Sequence, residues 1–399
     1  MSGTRLWDKG AALDARVLAF TAGEDHRLDA RLVAYDAKAS ASHARMLHQA
    51  GYLSATDTDA IVAGLQQLAA SHANGDWSIE LADEDVHTAL EKHLTNAIGD
   101  AGKRVHLGRS RNDQVLAALR LYLKDAVTAL DDGIADVCGA LSALADRDGH
   151  LALPGYTHLQ QAMPSSVALW ANGFIAELVD DRAALNAAER RIDKNPLGSA
   201  AGYGTPALTI DRQATATELG FASVHEPVTA VQLSRGKAEA AVLFETVQTL
   251  NDLSRLAADL LLYYTQEFAF VRLPDSLTTG SSIMPQKRNP DVLELIRAAP
   301  ASAIGALNEA LIITTKLTSG YHRDLQRLKA PLFRGIDLTL ESLALMSAML
   351  DGVRFVPENI RLDPATGAAE AANRLVAEDG LSFRDAYRKI AERYTDTGD

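Results

Sequence analysis

Between residues 113 and 147 the apolar side chains Leu116, Leu119, Leu123, Val127, Leu130, Ile134, Val137, Leu141 and Leu144 recur at intervals of three or four. Only an α-helix gathers that spacing onto one face, so the stretch predicts a single helix of about 35 residues, roughly 50 Å long. A second stripe, Leu243, Val247, Leu250, Leu253, Ala257, Leu260 and Tyr264, predicts another long helix over residues 234–268. Residues 165–194 and 290–316 read the same way. Rods longer than a small domain can bury their stripes only against one another, and their ends or outer faces are left for other copies of the chain. The expected fold is therefore all-α, a central bundle of very long helices in a chain that oligomerises.

Shorter amphipathic segments flank that bundle. Residues 1–105, broken at Gly51, Asn74-Gly75 and Gly99/Gly102, read as an N-terminal helical domain with a helix over residues 84–97. The bundle occupies residues 106–350. After a turn-rich stretch, residues 351–399 read as a small C-terminal helical domain with helices over 368–378 and 382–394. The N-terminal MSGTRLWDKG has no apolar core of the kind a secretion leader needs, and no uninterrupted apolar run approaches the roughly 20 residues of a membrane span. The expected location is the cytoplasm, with no membrane partner. The single cysteine, Cys138, sits among apolar helical positions and is expected in the core. A net charge of −13 argues against nucleic acid as a partner, and makes local clusters of arginine and lysine stand out as places for an acidic small molecule.

Four polar clusters fall at the ends of the long helices. In GSSIMPQKRNP, residues 280–290, Asn289 suits a helix N-cap and Pro290 the first helical position, so free N–H groups would join Lys287 in facing an anion. HLGRSRNDQ, residues 106–114, places Arg109 and Arg111 beside Asn112 or Asp113 as caps of the longest helix. PGYTHLQQ, residues 154–161, is a turn between two long helices that displays His158, a group that titrates near neutrality. YHRDLQRLK, residues 321–329, offers Tyr321, Gln326 and Lys329 as three different donors. Taken singly, each cluster fits a helix cap or a solvated turn as well as a site. No histidine pair has zinc spacing, and the glycine-rich NPLGSAAGYGTP lacks the strand that a dinucleotide loop follows, so neither metal nor nucleotide cofactor is indicated.

Taken together, the clusters resemble a known family. GSSIMPQKRNP is similar to the signature of the fumarase/aspartase superfamily, and HLGRSRNDQ, PGYTHLQ and YHRDLQRLK, with DEDVHTALE at residues 83–91, resemble the argininosuccinate lyases within it. The resemblance implies a cofactor-free reversible elimination that splits argininosuccinate into arginine and fumarate in arginine biosynthesis. It assigns Ser281 as the base, Lys287 as stabiliser of the charge-rich intermediate, His158 as the acid for the leaving nitrogen, and Glu294 as the carboxylate that pairs with that histidine. It further implies that Ser110, Arg111 and Asn112 hold the succinate half and that Thr157, beside His158, binds substrate. Asn289, Tyr321, Gln326 and Lys329 would contact the carboxylates or the arginine half, and Asp85 and His87 would line the pocket. A homotetramer whose subunits share each site is also implied. The alternatives are a sister lyase acting on adenylosuccinate or aspartate, and a non-catalytic protein of the crystallin kind. The chain departs from the family where FTAGEDHRLD, residues 20–29, replaces a serine-bearing FNxS segment, and where HEPVTAVQLSRGKAE replaces an NSxDAVSDRD-like stretch. Leu107 stands where a threonine is frequent, and the C-terminal region is shorter than is typical.

Overall fold

The computed structural model describes residues 14–395. The N-terminal decapeptide that lacks a leader's apolar core lies outside the described residues. The longest helix runs from Arg111 to Asp148, 38 residues, and the helices Lys237–Tyr264, Val167–Ile192 and Asp291–Thr314 follow at 28, 26 and 24 residues. All nine stripe positions of the first are buried, as their spacing requires. A fifth long helix, Lys329–Gly352, carries its own buried stripe of Leu332, Phe333, Ile336, Leu343, Met346 and Met349. The sequence does not announce it, because its first residue belongs to the YHRDLQRLK cluster, which reads as a loop. The ends of these helices differ from their expected positions by one to four residues; Gly236, at φ +79°, delays the Lys237 start, and a Cβ there would collide with Thr314 Cγ2.

The chain divides into two compact units, each taking segments of the long helices. The first comprises residues up to Leu130 with Ala184–Val247 and Ser302–Asp337. Within it the helices Val33–Gln49, Ala55–Ala73 and Val86–Ile98 pack on one another. Ala39, Ala117, Leu121, Leu197, Ala216, Leu219 and Phe221 form one of its apolar clusters, the small alanines letting helices approach closely. Buried Arg120 crosses this unit to the Lys194 carbonyl and, at 2.7 Å, the Ser234 hydroxyl.

The second unit comprises Asp131–Ala183, Gln248–Ala301 and the chain from Leu338 on. Trp170 anchors it, its indole N–H donating to Asp259 at 2.9 Å while its rings meet Phe174, Tyr263 and Phe355. The helices Ala368–Asp379 and Phe383–Thr395 close on Ala372, Ala386 and Ile390. Cys138 is half-buried, a correction to its expected core position.

The turn expected at PGYTHLQQ is instead an antiparallel hairpin, Ala152–Thr157 paired with Gln160–Ser166. No apolar alternation announces it. The ladder joins Thr157 to Gln160, leaving His158 and Leu159 as a two-residue tip at φ 54° and 59°, the geometry of a type I′ turn. By length and composition alone the Asp291–Thr314 helix could cross a membrane. It carries Asp291, Glu294, Arg297 and Glu309, buries Leu293, Ile296, Ala303, Ala306 and Ala310, and exposes Leu295, Ile304, Leu311 and Ile312.

Candidate active site

In the first unit, six of the residues singled out in the sequence converge. Asp85, His87, Arg111, Tyr321, Gln326 and Lys329 line one cavity of about 20 Å³, room for a single water, together with Asp25, Val115 and Arg235. Local structure explains their aim. Asp85 is the N-cap of the Val86–Ile98 helix, its Oδ1 accepting the Thr88 N–H at 3.0 Å, which sets His87 in the first turn. Arg111 opens the longest helix and turns its guanidinium onto the Asp85 carboxylate. Lys329 opens the fifth helix, 2% exposed, with its ammonium 2.8 Å from Asp25 and 2.5 Å from Asp29.

Burial would push that ammonium toward neutrality, but the two carboxylates outweigh it and raise its affinity for the proton. The same burial pushes Asp25 up to about 6 despite Lys329, because Asp29 and Asp85 repel a second negative charge. Gln326 donates to the carbonyls of Thr21 and Ala22 at 2.8 and 3.2 Å and accepts from Arg323 at 3.1 Å.

The cap of the longest helix differs from the expectation that Asn112 or Asp113 supplies it. Ser110 is the cap: its carbonyl accepts from Gln114 and its hydroxyl from the Asn112 N–H at 3.3 Å. Asp113 answers with an acceptor for the Ser110 N–H at 3.0 Å, and also receives the N–H groups of Gly198 and Ala200. Arg109 is no ligand for an outside carboxylate. It is buried, donating to the Ser40 hydroxyl and the Val105 carbonyl.

The second unit holds Thr157, His158, Ser281, Lys287, Asn289 and Glu294. The GSSIMPQKRNP loop is closed by a short ladder, Thr279 opposite Asn289 and Gly280 opposite Arg288. Asn289 therefore does not cap the next helix. Its side chain donates to the Gly280 carbonyl at 3.3 Å, and the first helical acceptor is the Pro290 carbonyl, one residue later than expected.

Inside the loop, Ser281 Oγ accepts the N–H groups of Ile283 at 3.4 Å and Met284 at 3.2 Å. Two backbone donors aimed at one hydroxyl oxygen are what an alkoxide needs. Lys287 is exposed and makes no ion pair among the described residues, and Arg288 instead pairs with Asp275 at 2.5 Å. Thr157, His158 and Glu294 are exposed, and no hydrogen bond joins His158 to Glu294 within the chain.

The match to the lyase family spans residues 10–305. An argininosuccinate lyase of Sorangium cellulosum is 47% identical over 389 residues, covering 97% of this chain and 90% of that one. Another, of Thermotoga neapolitana, is 40% identical and covers 98% of both chains. The chain belongs to the argininosuccinate lyase family. In fold it matches an EDDS lyase variant with bound fumarate (TM-score 0.80, 24% identity, 96% of this chain and 76% of that one). The class II fumarase of Schistosoma mansoni follows at TM-score 0.79, 16% identity, and 95% and 88% of the two chains.

Membership in the argininosuccinate lyases gives the FTAGEDHRLD departure a structural meaning. Asp25 and Asp29 bring that segment to Lys329, and its backbone carbonyls hold Gln326, so the stretch without the usual serine still builds the pocket wall. Arg235, from the other departing stretch, lines the same cavity. Sequence reasoning missed these three. The clearest signal was the spacing of Asp25 and Asp29, one helical turn apart on a short segment.

Proposed function

We propose that Ser281, as an alkoxide, removes the proton from the carbon next to a carboxylate of argininosuccinate. The electron pair moves into an aci-carboxylate, and the C–N bond then breaks, with His158 protonating the departing guanidino nitrogen to give arginine and fumarate. The observation that carries this reading is the pair of backbone N–H groups on Ser281 Oγ. They favour the charged hydroxyl a serine base requires.

Lys287 leaves its charge for the intermediate, and Thr157 sits beside the acid. The lysine, the N–H groups of the Asp291–Thr314 helix start and Asn289 meet the substrate's carboxylates. Ser110, Arg111 and Asn112 take the succinate half, while Tyr321, Gln326, Lys329, Asp85 and His87 form the binding wall.

Glu294 pairs with His158 from a different copy in a homotetramer that shares its sites. Exposed apolar residues on the long helices support assembly: Leu169, Phe244, Leu295, Ile304 and Ile312 are 42–72% exposed, more apolar side chain than a bundle helix leaves to water. The protein acts in the cytoplasm on a small-molecule substrate, in arginine biosynthesis and without a cofactor. The chain is organised as an N-terminal helical domain over residues 1–105, a central long-helix bundle over 106–350 and a small C-terminal helical domain over 351–399.

Incubation with argininosuccinate should release fumarate, followed by its ultraviolet absorbance. No release at any pH from 6 to 9 would sink the reading. A panel including adenylosuccinate and aspartate should show argininosuccinate preferred.

A further inference from the structure

The charged groups around the first unit's cavity have partners, His87 with Asp36 and Arg235 with Glu239 at 3.4 Å among them, and the atoms left over say where a further acceptor fits. Arg111 is taken by Asp85, and Lys329 by Asp25 and Asp29. Two buried nitrogens lining the cavity have no hydrogen-bond partner among the described residues, His87 Nε2 and Arg235 Nη1. A buried N–H left unpaired loses its water without a replacement, so both call for an acceptor that the chain does not supply.

Why His87 presents Nε2 is answered one layer back. Its Nδ1 meets the Asp36 carboxylate of the Val33–Gln49 helix, 51 residues away in sequence. Asp36 is fully buried, and its other oxygen accepts from the Ser40 hydroxyl at 2.9 Å and the Gln114 amide at 3.0 Å. Three donors from three helices converge on one carboxylate, which leaves it no freedom to rotate. A carboxylate on one imidazole nitrogen sets the direction of the other and favours the charged ring, in which both nitrogens donate.

We propose that Asp36 is a positioning residue for the elimination: by accepting from His87 Nδ1–H it aims Nε2 into the cavity and holds the ring as the imidazolium, so that Nε2–H donates to a substrate carboxylate, beside Arg235. The charges facing the ring are Asp29 and Asp85 as well as Asp36, with His106, Arg109 and Arg111 and, across the cavity, Asp25 and Lys329. Burial alone would lower the affinity of His87 for its second proton. Asp36, Asp85 and Asp29 reverse that and raise it, while His87, Arg109 and Gln114 hold Asp36 below the carboxylate range against its own burial.

The inference rests on His87 contacting substrate, as proposed above. Its test is a double-mutant cycle on the whole enzyme. Asp36→Asn should lower kcat/KM about 10- to 100-fold, chiefly through KM, and its KM should climb more steeply above pH 7 than that of the wild type. His87→Gln should cost at least as much, and the double variant no more than His87→Gln alone. Effects that multiply in the double variant, or an Asp36→Asn enzyme with wild-type KM and pH profile, would overturn the coupling.

Should Asp36→Asn fail to fold, wild-type protein labelled with ¹⁵N-histidine decides the matter by solid-state NMR at pH 8. One ring with both nitrogens protonated, absent from His87→Gln, supports the proposal, and a neutral His87 ring overturns it. Wild-type enzyme that releases no fumarate would sink the functional reading instead, so the two failures are distinguishable.

Discussion

Around Lys329, cations are matched by carboxylates of the same chain and sealed from water: Lys329 is 2% exposed, and Asp29, Asp36, Asp85 and His87 are all buried. From Gly280 to Arg288 the reverse holds, for only Ser281 is even half-buried, and Lys287 points its charge at solvent. The first region is built before substrate arrives, and its geometry is held by long-range ion pairs. The second keeps its reactive groups unspent, and its loop is fixed by a two-rung ladder, short-range backbone and side-chain bonds, and two N–H groups on a serine oxygen. A binding surface gains affinity when it is already ordered, whereas groups that must exchange protons gain from not being locked in ion pairs of their own. Mutations in the two regions should therefore fail differently.

The largest effect is expected in the open region. Ser281→Ala should lower kcat by at least about 10³-fold, read as fumarate release, while urea unfolding stays within about 0.5 kcal/mol of wild type. A large stability change would break the contrast. In the closed region, Lys329→Met strands Asp25 and Asp29 without their cation and should cost about 3–5 kcal/mol, measured by urea unfolding at fixed protein concentration. A variant as stable as wild type would show that the pocket's ion pairs do not hold the first unit. Ser110→Ala, which removes the hydroxyl that caps the Asn112 N–H, should cost about 1 kcal/mol. Its kinetic cost should appear in KM.

A graded effect should follow from acid. Burial pushes His106 and His225 of the first unit down to about 4, with Arg109 and Arg120 adding to it, so both fold as neutral rings. An unfolded histidine takes its proton near 6.5, so between there and pH 4 the unfolded chain binds more protons, and stability is lost as pH falls. Tryptophan fluorescence and far-ultraviolet circular dichroism across that window should show stability declining. A first unit as stable at pH 4.5 as at pH 7 would contradict the neutral state of these rings.

The long helices were legible because a stripe such as Leu116 to Leu144 has one geometric solution. The candidate site was legible in its polar clusters, since the resemblance rests on residue types in order. What stayed hidden were contacts that depend on folding distant segments together. Asp25 and Asp29 look like solvated charges until Lys329 arrives from 300 residues away. Nothing in the sequence pairs Asp36 with His87. The hairpin was invisible for another reason: Pro154 and Pro164 sit inside strands whose side chains do not alternate, so pairing is set by the need to reverse between two helices.

A designer wanting only a firm type I′ corner at the hairpin tip would write Asn-Gly, because both positions lie in the left-handed region. This chain writes His158-Leu159, with Leu159 76% exposed. Leu159→Gly should then make the isolated corner more comfortable, and any accompanying loss of turnover would measure the performance bought with that discomfort. The tip is thus a place where natural selection can be weighed, residue by residue, against the easier sequence it declined.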